Sequence, residues 1–226
     1  MFDSFDRHIH YLRVSVTDKC NMRCRYCMPE EGVAVKTHAE LLSFDQITDI
    51  VKTSAELGFD KIRLTGGEPF NHRGILDLIK MIHDVVGIGT LVIITNGYLL
   101  REFSKPLDAV GLDSMNVSLD TLNPDVYRQL TRGGDSARVL DGIDAAQQAG
   151  FEHIIIGIVV DDAEDRGQTD LVKFCRGCGL ILQRIRRYSI LQSKSDGGIF
   201  DRPPRCGDFN RLRLTCDGIF KAVEKQ

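Results

Sequence analysis

The chain has 226 residues, 27% of them charged with a formal net charge of −3, enough for one α/β domain or two small ones. That balance speaks against a nucleic-acid-binding tail or a disordered polymer, and no apolar run reaches membrane-spanning length. The opening MFDSFDRHIH lacks a basic stretch followed by an apolar one, so no signal peptide is expected.

Residues 11–17, YLRVSVT, alternate apolar Leu12, Val14 and Val16 with polar Arg13, Ser15 and Thr17, the period of a half-buried strand. The cysteine-rich stretch TDKCNMRCRYCMPE (17–30) follows it. A capping-box pattern, Ser43 and Gln46, opens a helix that gathers Phe44, Ile47, Ile50, Val51 and Leu57 near one face and closes at Gly58. KIRLT (61–65) predicts a strand running into GGEP (66–69). A helix is expected over about 72–86, a strand over 90–97, a further helix, and a strand over 113–120. Asn123 as cap with Pro124 at the first helical position starts another helix. SARVLDGIDAAQQAG (136–150) reads as a helix, HIIIGIVV (153–160) as a strand, 167–178 as a helix, and ILQRIRRYSIL (181–191) closes the pattern.

These are about six strand–helix units, too few to close an eight-stranded barrel of about 250 residues. The expected fold is α/β: an open, partial (β/α)6 barrel of the TIM type over residues 1–190, with a short C-terminal extension over 191–226. In parallel barrels the helix-facing side of each strand is apolar. The other faces carry Arg13, Ser15 and Thr17; Arg63 and Thr65; Asn116, Ser118 and Asp120; and Arg184 and Arg186. A polar, arginine-bearing lumen is a place for an anionic ligand; an ordinary open sheet with half-exposed strands is the alternative.

Seven cysteines, an odd number with three crowded into eight residues, point to a reducing, cytoplasmic setting and to metal or catalysis, not to a disulfide scaffold. Cys20, Cys24 and Cys27 have the spacing C-x3-C-x2-C directly after the first strand. Structural zinc normally takes four ligands, and a zinc reading would recruit His8, His10 or His38. Three thiolates suit a [4Fe–4S] cluster with one iron left open to bind a small molecule.

That spacing, with the aromatic Tyr26 before the third cysteine, resembles the signature of the radical S-adenosylmethionine superfamily. GGEP (66–69), TNG (95–97) and NVSLD (116–120) stand where that family makes further cofactor contacts. LRVSVTDKCNMRCRYCMPEEGV, KIRLTGGEPF, NVSLDTL and CGDFNRLRLTCDGIFK are similar to the GTP 3′,8-cyclase family of molybdenum-cofactor biosynthesis, over residues 11 to about 221. The resemblance implies that Cys20, Cys24 and Cys27 ligate a [4Fe–4S] cluster whose open iron chelates S-adenosylmethionine. One electron, from a flavodoxin- or ferredoxin-type donor, then yields a 5′-deoxyadenosyl radical that abstracts hydrogen from substrate. Tyr26, Gly66, Gly67, Glu68, Thr95 and Ser118 would contact S-adenosylmethionine, Glu68 by accepting from its ammonium. Arg13, Arg63, Arg211 and Arg213 would face an anionic small molecule such as GTP, a partner set without nucleic acid or membrane.

The chain departs from the resembled cyclases at one end. Of their second cluster's three ligands, Cys206 matches the first, but Phe209 and Val223 stand near the others, and Cys216 replaces a usual serine. KAVEKQ ends the sequence before their terminal Gly-Gly, and FEHIIIGIVV lacks their triphosphate lysine. No second cluster is therefore expected; a rearranged zinc or iron–sulfur site of Cys175, Cys178, Cys206 and Cys216 is the alternative. A cyclase paralogue with another substrate, a cluster-bearing electron carrier and a zinc-stabilised domain remain as competing functions. GGEP and the lumen arginines argue against the last two.

Overall fold

The computed structural model describes residues 1–3, 6–29, 31–32, 34–160, 167–186 and 210–221. Six strands alternate with helices in chain order: β1 (Tyr11–Ser15), α1 (Phe44–Glu56), β2 (Lys61–Thr65), α2 (Ile75–His83), β3 (Thr90–Thr95), α3 (Leu100–Ala109) and β4 (Ser114–Ser118). They continue as α4 (Pro124–Thr131), α5 (Ser136–Gln148), β5 (Ile154–Val160), α6 (Gly167–Gly177) and β6 (Ile181–Arg186). The caps read from sequence form. Ser43 Oγ accepts from the Gln46 amide while the Gln46 side chain accepts from the Ser43 amide, and Asn123 Oδ1 takes the amides of Asp125 and Val126.

The strands lie in the order β6-β5-β4-β3-β2-β1, every pair parallel, as successive strand–helix units require. Two further strands extend this sheet beyond β1: β7 (Arg211–Leu214) runs parallel to β1, and β8 (Phe220–Lys221) turns back antiparallel to it. The described part of the 191–226 extension thus shares the sheet of the first 190 residues; 191–209 and 222–226 lie outside the described residues. Among the described residues no helix is long and apolar enough to cross a membrane.

Strand parity divides the molecule. Leu12, Val14, Ile62, Leu64, Leu91, Ile93, Met115, Val117, Ile154 and Ile156 all face the helices and are at most 1% exposed. Ile47 and Val51 of α1, Leu78 and Ile82 of α2, Val139 and Ile143 of α5 and Leu171 of α6 complete that core. The opposite face is polar and in register: Arg13 lies beside Arg63 on one side and Arg213 on the other, and Tyr11 beside Lys61 and Arg211. Arg184 does not join it. It pairs with Ile158, whose side chain lies in the core, so its parity is the helix-facing one, shared with Leu182; the side chain of Arg186 lies outside the described residues. Gln183 takes the lumen place, where its Oε1 accepts from Asn116 Nδ2 at 3.5 Å. Alternation in ILQRIR fits either phase, and only pairing with β5 decides between them.

The parity carries a stability test. Ile93→Ala should cost about 3 kcal/mol, because a closed core keeps the cavity. Ile94→Ala, on the half-buried lumen face, should cost well under half of that in the same urea titrations.

Candidate functional site

The C-terminal ends of β1 to β4 converge on the loop that carries the three cysteines. Val16 continues the sheet by donating to the Thr65 carbonyl; then the Gly67 amide donates to Thr17 O at 2.7 Å and the Glu68 amide to Lys19 O at 2.8 Å. A Cβ on Gly66 would lie 2.4 Å from Thr17 O, and one on Gly67 2.3 Å from Lys19 O. Gly66 also holds φ 154°, a backbone setting that L side chains disfavour. The space gained by both glycines is filled by the cysteine loop's own main chain.

The far side of the loop is held by the end of α4. The amides of Arg25 and Arg23 donate to Leu130 O and Thr131 O. Arg132, at φ 53° and ψ 54°, sends Nη1 to both Arg23 O and Met28 O, at 2.8 and 2.9 Å. Between these clamps the Tyr26 hydroxyl donates to Asp120 Oδ2 at 2.8 Å, and Asp120 Oδ1 accepts from the Val159 amide at 2.8 Å. Sequence reading placed Asp120 among lumen polar groups and within NVSLD without giving it a role of its own, and passed over Arg132, whose left-handed backbone has no signal in an arginine.

All six described cysteines are free thiols. Cys24 is buried, Cys20 half-buried and Cys27 exposed. The Cys24 thiol hydrogen-bonds to Cys27, which with burial pushes Cys24 up and brings Cys27 down to about 7; Arg132 adds to the lowering. Burial pushes Cys20 up, against donation to its sulfur from the Met22 amide at 3.4 Å and from Asn96 Nδ2 at 3.9 Å. Among the described residues no three His, Cys, Asp or Glu side chains could hold a single metal ion. Thiolates on separate corners of an iron–sulfur cube need no common point, and three soft donors without a fourth fit a [4Fe–4S] group with one open iron. The histidines of a zinc reading are spent elsewhere. His10 Nδ1 lies 2.8 Å from Asp60 at the N-terminal edge of the sheet, its Nε2 meets Asn210 Nδ2, and His8 stacks on its ring. His38 sits exposed in a short 3-10 turn.

Glu68 is 1% exposed and fully engaged: Oε1 accepts from Thr95 Oγ1 at 2.8 Å and the Phe70 amide at 3.2 Å, Oε2 from the Asn96 amide at 2.7 Å. Burial pushes its carboxyl up to about 7, opposed by those donors. Thr95 is buried with its hydroxyl aimed at Glu68, and Ser118 stands half-buried at the end of β4.

On the lumen face the Arg63 guanidinium lies 5.2 Å from the Tyr11 ring centre and Lys61 Nζ 5.9 Å from it. Arg13 Nη2 donates to Thr65 Oγ1 at 3.2 Å. Arg63 and Arg211 are buried and Arg213 is exposed. The Tyr11 hydroxyl is buried without a hydrogen-bond partner. Sequence reading passed over Lys61 and Tyr11, although period two from Arg63 and Arg13 reaches both.

Of the remaining described thiols, Cys175 and Cys178 are neighbours at the end of α6, close enough for Cys178 to add to the raising of Cys175. Cys216, just past β7, is buried beside the Ser15 hydroxyl and Asp18; burial pushes it up. Cys175 is buried in α6 and pushed up to about 11 by that burial, and Cys178 is exposed just beyond the helix. Cys206, Phe209 and Val223 lie outside the described residues.

A sequence profile of the radical SAM superfamily matches residues 14–175. A GTP 3′,8-cyclase of Alkaliphilus oremlandii is 46% identical over 98% of this chain and 82% of its own length. One from Alkaliphilus metalliredigens is 43% identical over 73% of this chain, which spans only 53% of that relative. Streptococcus suis SuiB, in a crystal structure bound to S-adenosylmethionine, superposes with a TM-score of 0.64 at 17% identity, over 84% of this chain and 44% of SuiB. With the loop geometry and the sheet order, these matches place the chain in the radical SAM superfamily, whose enzymes use a [4Fe–4S] cluster and S-adenosylmethionine, and within it in the GTP 3′,8-cyclase family.

Proposed function

We propose that this chain performs a GTP 3′,8-cyclase-type reaction on a purine nucleoside triphosphate, with Cys20, Cys24 and Cys27 holding the cluster. When bound, the cluster and S-adenosylmethionine supply one-electron cleavage of a sulfonium and, through it, hydrogen abstraction from carbon. The chain's own residues bind, orient and exclude water. The observation that carries the reading is the band of cations on the lumen face: Arg63, Arg13 and Arg213 in one row, Lys61 and Arg211 in the next, around the unpartnered Tyr11 hydroxyl. Guanidinium forks and a hydroxyl donor together suit phosphate oxygens, and the relatives' names specify GTP.

In this reading Glu68 accepts from the ammonium of S-adenosylmethionine, and Thr95 aims the Glu68 carboxylate by donating to it. Gly66 and Gly67 serve the cofactor indirectly, by letting the cysteine loop lie on the end of β2. Tyr26 and Ser118 border the same pocket. The electron comes from a flavodoxin- or ferredoxin-type donor in a reducing cytoplasm. Residues 1–190 act as the core and 191–226 as an extension that adds β7 to the lumen. A second reading, a paralogue acting on another anion, is favoured by Phe209 and Val223 standing where the resembled cyclases carry ligands of a second cluster.

The experiment is anaerobic reconstitution with iron and sulfide, then reduction with S-adenosylmethionine and GTP deuterated at the 3′ carbon. Deuterium should appear in 5′-deoxyadenosine. Formation of 5′-deoxyadenosine without label would transfer the choice to the paralogue, and no 5′-deoxyadenosine at all would defeat both readings. Cys27→Ala should lose the brown chromophore together with product.

Two further outcomes follow from the pocket. Glu68 accepts an ammonium only when ionised, and its carboxyl is poised at about 7. Affinity of cluster-loaded protein for S-adenosylmethionine should therefore climb with pH and level off, being roughly tenfold weaker at pH 6 than on the plateau. Calorimetry on Glu68→Gln should show weaker binding without that slope. Arg63→Ala should raise the KM for GTP by about tenfold to a hundredfold, the loss of one charge-assisted phosphate contact, while leaving uncoupled 5′-deoxyadenosine formation in place.

A further inference from the structure

We propose that Asn116 is a specificity-determining residue whose side-chain oxygen accepts a hydrogen bond from the uncharged part of the substrate, a base amino group or a sugar hydroxyl. The inference rests on the reading of the substrate as a purine nucleotide.

The lumen face is not cationic throughout. Beyond β2 the residues that share it turn apolar: Val92 stands opposite Arg63, and Ile94 and Ile155 flank Asn116 on its two sides. One row further along, Gly157 has no side chain to separate β4 from β6. Gln183, the partner of Gly157 on β6, reaches across that gap, and Asn116 Nδ2 donates to its Oε1 at 3.5 Å. The bond engages the nitrogen of the carboxamide and leaves the oxygen over.

Asn116 is 5% exposed, and its Oδ1 has no hydrogen-bond partner among the described residues. Ile94 and Ile155, its neighbours in register, carry apolar side chains and offer no donor. A buried carboxamide oxygen without a donor costs stability. The sheet gains nothing in return, because the ladders from β4 to β3 and β5 are main-chain bonds that any side chain would permit. What the oxygen suits is a donor carried in by a ligand.

The position fits the uncharged half of a nucleotide. β4 lies two strands from β2, about 10 Å along the sheet from Arg63. Phosphates held by the cationic band leave a base and sugar to be placed elsewhere in the lumen, and Ile94 and Ile155 offer apolar contact on either side of one acceptor. Such a site discriminates, because a ligand that lacks the donor leaves the oxygen dry and unpaired.

The test is calorimetry on reconstituted, unreduced protein with GTP and three analogues. ITP lacks the base amino group, and 2′-deoxy-GTP and 3′-deoxy-GTP each lack one sugar hydroxyl. Wild-type protein should bind one of the three about tenfold more weakly than GTP, the loss of one hydrogen bond, and that analogue names the donor. Asn116→Leu should bind GTP about tenfold more weakly than the wild type does and no longer distinguish it from that analogue. Its affinity for S-adenosylmethionine should be that of the wild type. Should leucine overpack the site and prevent folding, Asn116→Ala takes its place with the same expectations; if neither folds, the wild-type comparison decides alone. Wild-type affinity for GTP in either variant overturns the proposal, as does equal binding of GTP and all three analogues by the wild type. Weakened S-adenosylmethionine binding in the variants would assign the oxygen to the cofactor and overturn it too. Wild-type protein that binds neither GTP nor any analogue would instead defeat the nucleotide reading, and the inference falls with it.

Discussion

Two main-chain hydrogen bonds, Gly67 to Thr17 and Glu68 to Lys19, join the end of β2 to the start of the cysteine loop, and the close approach they need leaves no room for a Cβ at residues 66 and 67. Everything the site does depends on that seam. The loop from Val16 to Pro29 has no helix or strand of its own, so its shape is set from outside. β2 holds its first residues, α4 and Arg132 hold its later ones, and Asp120 pins the tyrosine in the middle. Three thiols on a segment without regular structure are thereby tied to three separate elements of the fold. The same seam places Glu68 where Thr95, Asn96 and Phe70 can all donate to it.

The lumen face changes character along the strands. Near their N-terminal ends stand Lys61, Tyr11 and Arg211; in the middle, Arg63, Arg13 and Arg213; at the C-terminal ends, Thr65 and Ser15, followed by Glu68 and the thiols. Adjacent strands are about 4.8 Å apart, so the cationic rows present a closely spaced array of donors. Such an array is unfavourable for a neutral ligand and favourable for several anionic oxygens at once.

Much of this was legible in the sequence because the two signals involved are local. Strand alternation put Arg13 and Arg63 on the polar face, and the cysteine spacing with GGEP pointed to the C-terminal strand ends, where the structure brings the cysteine loop and Glu68 together. Arg184 went to the other face because parity within one strand is ambiguous until a neighbour fixes the register, and Gly157 opposite Gln183 does so. The glycines of GGEP were legible as a close approach, but not what they approach: a contact with Thr17 and Lys19 spans about fifty residues of sequence. Asp120 and Arg132 act through partners about a hundred residues away, and nothing in the local pattern marks such a pair. Arg211 and Arg213 were read as facing an anionic ligand, yet the place of β7 beside β1, at the opposite edge from β6, comes only from pairing.

The clamps on the cysteine loop have a temporal meaning for a chain made from its N-terminus. The thiols emerge within the first 27 residues, whereas Asp120, Thr131, Arg132 and Val159 emerge more than ninety residues later. Until then the loop carries its soft donors without a frame to orient them. A cradle of this shape accordingly exists only once the sheet has assembled through β5, and metal captured earlier would meet three loose thiols and not a site.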